Sequence, residues 1–189
     1  MNWHQSENIS SIPRKLPVYK THVWVVSKDN KYLLVSTDGI NFDLPSSTGH
    51  SFDNIQNNLS NIQQYKQYVQ TIVKDETGLL LSNQDLSNLF FLGYYVGEDE
   101  QNTGNQIVIL SFVVLYSKSS SDLFLMPVQR ENFFRFPMFM NQEEAFDSVQ
   151  WLDRSLEYKA LTEYLSKNLL MNTEISYTQK NKDSLKSFD

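Results

Sequence analysis

The run IVILSFVVLY, Ile107 to Tyr116, constrains the fold more than any other stretch of this sequence. Nine of its ten residues are hydrophobic, yet a helix needs roughly 20 apolar residues to cross a bilayer, about twice what this run supplies. Its β-branched and aromatic content reads instead as a buried strand. The preceding segment NLFFLGYYVGEDEQ is a second long strand, and the Gly- and Asn-containing EDEQNTGN between them predicts an antiparallel pair. Strands this apolar must be covered by other elements. A chain of 189 residues, 40% hydrophobic and 13% aromatic, is long enough to build that cover as one domain with appendages.

Earlier in the chain, Val23 to Val26 and Tyr32 to Val35 flank the turn-forming SKDNK, which predicts a hairpin. A short run ending at Pro45 follows, then small polar residues that read as loop. From about Asn54 the period changes. Ile62, Tyr65, Val69, Ile72 and Val73 recur at the spacing of one helical face, and Gly78 stands where a C-terminal cap belongs. Downstream, residues 119–151 carry aromatics without a clean period, interrupted by Pro127 and Pro137. They are expected to form loop with a short strand or two and to end in a strand near Ser148 to Leu152. From Ser155, the residues Leu156, Leu161, Tyr164, Leu165 and Leu169 mark one side of a closing helix. Residues 1–17 read as a soluble leader without a signal-peptide core, and 171–189 as a polar tail. The order predicts an α/β (α+β) sandwich, a mixed sheet flanked by helices.

The formal charge of −6 argues against a protein that holds nucleic acid by phosphate neutralisation, leaving small ligands and protein partners. Absence of cysteine excludes a disulfide framework, a thiolate zinc site and a cysteine nucleophile. It suits a reducing compartment, so the expected location is the cytoplasm. No membrane span is expected.

The stretch TIVKDETGL places Asp75 and Glu76 in the last turn of the predicted helix, where the carbonyl end disfavours carboxylates by roughly 0.3–1 kcal/mol. A positive charge is expected nearby. On residue types alone, Lys74, Arg130, Arg135 or Arg154 qualifies. Spacing at i, i+3 and i+4 predicts that residues 72, 75 and 76 share a face.

The strand YLLVS, the segment FDLPSSTGH, the helix ending VKDETGL and the late VQWLD together resemble the Nudix superfamily over residues 18–170. The resemblance implies an α/β/α sandwich and a hydrolase acting on a nucleoside diphosphate linked to another moiety. It also implies Mg²⁺ or Mn²⁺ held by acidic residues of the helix. The family box is G-x5-E-x7-R-E-U-x-E-E-x-G-U. Here Val73, Asp75, Glu76, Gly78 and Leu79 match its second half, whereas Thr71 stands for the arginine, Ile72 for the first glutamate and Gln63 for the upstream glutamate. Gly49, the nearest candidate for the box glycine, lies too far upstream. The box is degenerate.

The resemblance therefore implies Asp75 and Glu76 as metal ligands and catalytic acids. Glu143 is a further candidate ligand and Glu144 a further catalytic acid, because family loops in that region bring an additional acid to the metal. Two carboxylates suffice for one Mg²⁺. For substrate, Arg130 and Arg135 suit phosphate, and Phe134, with Phe133, Phe136 and Phe139, suits a nucleobase. The alternative for that aromatic run is core packing or a homodimer contact. The competing function is a catalytically inactive nucleotide-binding or protein-interaction module, motivated by the three losses from the box. Of the histidines, His22 reads as structural and His50 as the one to test.

Overall fold

A computed structural model describes residues 1–13, 15–48, 62–98, 104–130, 132–149 and 154–168. Among these, nine strands form one mixed sheet. They are β1 (Asn2–Gln5), β2 (Val18–Val26), β3 (Tyr32–Ser36), β4 (Phe42–Asp43), β5 (Ser46–Thr48), β6 (Phe90–Glu98), β7 (Gln106–Leu115), β8 (Val128–Arg130) and β9 (Phe133–Met140). The spatial order is β1-β6-β7-β2-β3-β9-β8, with β4 paired to β3 and β5 to β2. The central contact, β2 against β7, is parallel, and the other pairs, β6 with β7 among them, are antiparallel. The helices are α1 (Ile62–Thr77), α2 (Asn83–Ser87), α3 (Gln142–Ser148) and α4, residues 155–168. No helix among the described residues is long and apolar enough to cross a membrane.

Alternation along β2 explains the layering. Val23 and Val25 point into one core with Tyr65, Val69, Ile72 and Val73 of α1. Trp24 and Val26 point into the other, with Ala145 and Val149 at α3 and Leu161 and Leu165 of α4. Successive strand side chains face opposite ways, so a run buried throughout requires helices on both faces, as the apolar sequence of β7 demands. The sheet is the middle layer.

A buried polar cluster ties α4 to the sheet. Glu157 Oε1 accepts from Trp24 Nε1 at 2.8 Å and from Ser111 Oγ, while Oε2 accepts from Tyr95 OH at 2.7 Å and Arg154 Nη1 at 2.6 Å. Arg154 Nη2 lies 3.2 Å from His22 Nδ1. Burial, reinforced by the charges of Arg154 and Lys20, holds the His22 pKa well below its ordinary value, which keeps the ring neutral. His22 is structural, as its sequence context suggests.

Four local expectations are corrected. Residues 2–5 of the supposed leader pair with β6, where Gly93 and Gly97 leave room for Trp3 and Met1. Gln142–Ser148 is helical, started by a capping box in which Asn141 and Glu144 bond reciprocally, so the strand expected from Ser148 does not begin there. The aperiodic run Phe133–Met140 is an eight-residue strand. Leu156 is exposed, although Leu161 and Leu165 are buried. Residues 49–61 and 169–189, with His50 and Leu169, lie outside the described residues.

Candidate functional site

The buried stripe of α1 runs through Tyr65, Tyr68, Val69, Ile72 and Val73 and continues into Glu76, which is only 4% exposed. Asp75 is exposed. Each residue advances about 100° around a helix, so once Ile72 and Val73 turn inward, Glu76 follows them and Asp75 is carried to the solvent side with Thr71 and Lys74. The expected convergence of Asp75 with Glu76 does not occur. After Thr77 the chain adopts φ +71° at Gly78, and the Gly78 amide closes the helix on the Lys74 carbonyl at 2.8 Å, as the cap reading requires.

The hairpin of β8 and β9 crosses the end of α1. Its register pairs Val128 with Arg135 and Arg130 with Phe133. Opposed residues and those two apart share a face, so Val128, Arg130, Phe133 and Arg135 look one way while Gln129 and Phe134 look the other. Of the aromatics expected beside the arginines, Phe134 is thereby turned away from them and Phe133 shares their face. Arg130 Nη1 contacts Glu76 Oε1, and Arg135 Nε lies 3.0 Å from Oε2. Each oxygen of the buried carboxylate thus lies against a guanidinium group, although the Arg135 Nε–H is not aligned with it as a hydrogen bond. Of the cations weighed for the helix end, Arg130 and Arg135 are the ones that Glu76 meets, whereas Arg154 pairs with Glu157 across the molecule.

These residues line a cleft of about 300 Å³ with Lys20, Ser46, Ser47 and Phe133. Lys20 reaches Asp43 at 3.4 Å. Tyr68 of α1 stands behind the cleft. Burial raises its phenol pKa, opposed by hydrogen bonding with Ser47 and Thr21 and by the Arg130 charge. Three cations against Glu76 and the partly exposed Asp43 leave the cleft positive by one charge, although the chain carries −6. The guanidinium edges not turned to Glu76, with two serine hydroxyls beside them, are donors suited to phosphate oxygens. A second cleft of about 430 Å³, between α2, β6 and α4, has Lys167 as its single Lys or Arg, beside Glu7 and Glu163. It lacks this concentration of positive charge.

The described residues do not fit a divalent ion at Glu76. An ion there would meet two guanidinium groups on the same carboxylate, and Asp75 is not turned inward with it. No group of three or more His, Asp or Glu among the described residues is placed to hold a metal. Glu143 and Glu144 belong to α3, which packs on the sheet face opposite α1. Glu144 caps its own helix, its Oε2 accepting the Asn141 amide at 3.1 Å. The two acids are therefore not brought to Glu76. Arg130 and Arg135 stand among the candidate cations on residue type, but the sequence does not choose between them and the others, because they lie more than fifty residues downstream on two strands, β8 and β9, whose pattern conceals the pairing.

No family model matches the sequence, and no curated protein matches it. Similarity appears among solved structures. The NUDIX domain of Shewanella oneidensis NrtR, crystallised with ADP ribose, is 11% identical with a TM-score of 0.52, covering 80% of this chain and 90% of that one. The Bacillus subtilis pyrophosphohydrolase BsRppH is 15% identical with a TM-score of 0.52, covering 87% and 90%. A C. elegans Ap4A hydrolase is 11% identical with a TM-score of 0.50, covering 79% and 98%.

Proposed function

Because the chain has the Nudix fold, we propose that its cleft binds a nucleotide derivative through phosphate, with Lys20, Arg130 and Arg135 as the recognising cations. The observation that carries this reading is the convergence of three basic side chains and two serines on one concavity of an otherwise acidic protein. Phe133, on the arginine face of the hairpin and 61% exposed, offers a ring on which a base or ribose packs. The neighbours support the ligand class, since one holds ADP ribose and another is named as an Ap4A hydrolase.

Metal-dependent hydrolysis, with Asp75, Glu76, Glu143 and Glu144 in catalytic or metal-binding roles and Mg²⁺ or Mn²⁺ as cofactor, is the competing reading. It draws on the box resemblance and on the enzymes among the neighbours. The arginine contacts of Glu76 favour binding over catalysis.

Calorimetric titration with ADP and ADP-ribose tests the proposal, with parallel chromatography of each mixture after incubation with Mn²⁺. Saturable binding is expected without new products. Arg130→Ala and Arg135→Ala should each lose about 1.5–3 kcal/mol of affinity, the usual worth of a charge-assisted hydrogen bond. Phosphate-containing products that form in Mn²⁺ and disappear in Glu76→Gln would instead establish the hydrolase.

A further inference from the structure

We propose that the cleft selects its phosphorylated ligand in the metal-free form, with Glu76 as the positioning residue that aims two arginines at it. The inference rests on the phosphate-binding reading above and adds the ionic state of the ligand to it.

Mg²⁺ bound to a diphosphate occupies phosphate oxygens and cancels charge. Proteins that accept such a complex present one or two carboxylates to the ion. Here the carboxylate on the cleft wall is turned inward, its side chain 6% exposed, with one oxygen on Arg130 and the other on Arg135. Those side chains remain 36% and 24% exposed, so the edges of the guanidinium groups away from Glu76 face the cleft. Lys20 and the two serines complete a wall of hydrogen-bond donors. Such a wall competes with Mg²⁺ for the same phosphate oxygens. Among the described residues, a Mg²⁺ complex would lose attraction to three cations and meet only carboxylates already paired, Glu76 with the two arginines and Asp43 with Lys20.

The hairpin explains why Glu76 is needed. Arg130 and Arg135 come from opposite strands and sit diagonally on one face, each on a long, rotamer-rich stem. Glu76, rigid in the last turn of α1, holds both forks at a fixed spacing, so less freedom is lost when a phosphate docks.

The test titrates wild-type protein with ADP by calorimetry, once in EDTA and once in excess MgCl2, with ionic strength matched by KCl. Affinity about tenfold or more tighter in EDTA is expected, and affinity equal or tighter in Mg²⁺ overturns the inference. Absence of ADP binding in both buffers overturns the phosphate-binding reading as well, so the two failures are distinguishable. Mn²⁺ alone, followed by electron paramagnetic resonance, provides a second readout. Wild type and Glu76→Gln should both leave the signal of the free aqueous ion unchanged, and stoichiometric Mn²⁺ uptake by wild type that Glu76→Gln abolishes would overturn the proposal. Glu76→Gln should also bind ADP more weakly while keeping the preference for EDTA, a pattern that loss of a metal ligand cannot produce. The wild-type comparison stands even where that variant folds poorly.

Discussion

Glu157 accepts four hydrogen bonds while fully buried, and its charge is balanced there by Arg154, equally buried. Breaking a buried pair by removing one partner strands the other charge, at a cost of about 3–5 kcal/mol. Glu157→Ala should therefore lose about that much in urea unfolding, far beyond the loss of a surface ion pair such as Lys20 with Asp43. His22 adds a pH dependence. The folded chain holds the ring neutral to well below 6.5, whereas the unfolded chain protonates it near that value. Below pH 6.5 the unfolded state binds the extra proton, so stability present at neutral pH falls on acidification, by up to about 1.4 kcal/mol per pH unit. His22→Gln should flatten this part of the profile when urea midpoints are compared from about pH 7.5 down to about pH 5. An unchanged difference between wild type and variant across that range would mean that His22 takes up its proton in the folded state.

The β8–β9 hairpin packs against the glycine that closes α1. A Cβ at Gly78 would lie 3.1 Å from Val128 Cγ2, in a backbone already at φ +71°. Gly39 provides the control, with φ +76° and nothing within 4 Å. Replacing either by alanine should cost about 1–2 kcal/mol for the left-handed backbone, measured by thermal unfolding. Gly78→Ala alone should also weaken ADP binding, because it pushes on the strand that carries Arg130; equal ADP affinity in the two variants would refute that coupling. Gly78 was legible as a helix stop, since a periodic stripe ends just before it. The hairpin was not, for a physical reason. In Phe133–Met140 one face mixes Phe133, Arg135, Pro137 and Phe139, and the other is largely apolar with Phe134, Phe136 and Met138, all partly or fully exposed. Neither face alternates with a polar one, so no period of two emerges. Pro137 read as a breaker, yet β8 covers only residues 133–135. Beyond them β9 is an edge, where a missing amide is tolerated.

Across the whole molecule, the fold was readable because its two cores are written in the apolar runs of β2 and β7 and the helical spacing of α1, whereas the site was readable only in its parts. Residues 76, 130 and 135 all drew notice, but the sequence does not encode which acid of the pair turns inward until the burial of Ile72 and Val73 sets the helix phase. That phase separates Asp75 from Glu76 and leaves a positive cleft in a chain of charge −6. The contrast predicts selectivity. A cleft of about 300 Å³ admits one phosphorylated small molecule. RNA needs a continuous basic track to release counterions along its backbone. The chain's net charge of −6 disfavours a polyanion, whose charge is felt over a Debye length of about 10 Å at ordinary salt. Labelled single-stranded RNA followed by fluorescence anisotropy at low salt should therefore show at most weak binding that ADP displaces, because both compete for Lys20, Arg130 and Arg135. RNA held tightly in the presence of saturating ADP would reveal a basic surface elsewhere, and the local field of the cleft would no longer account for what this protein recognises.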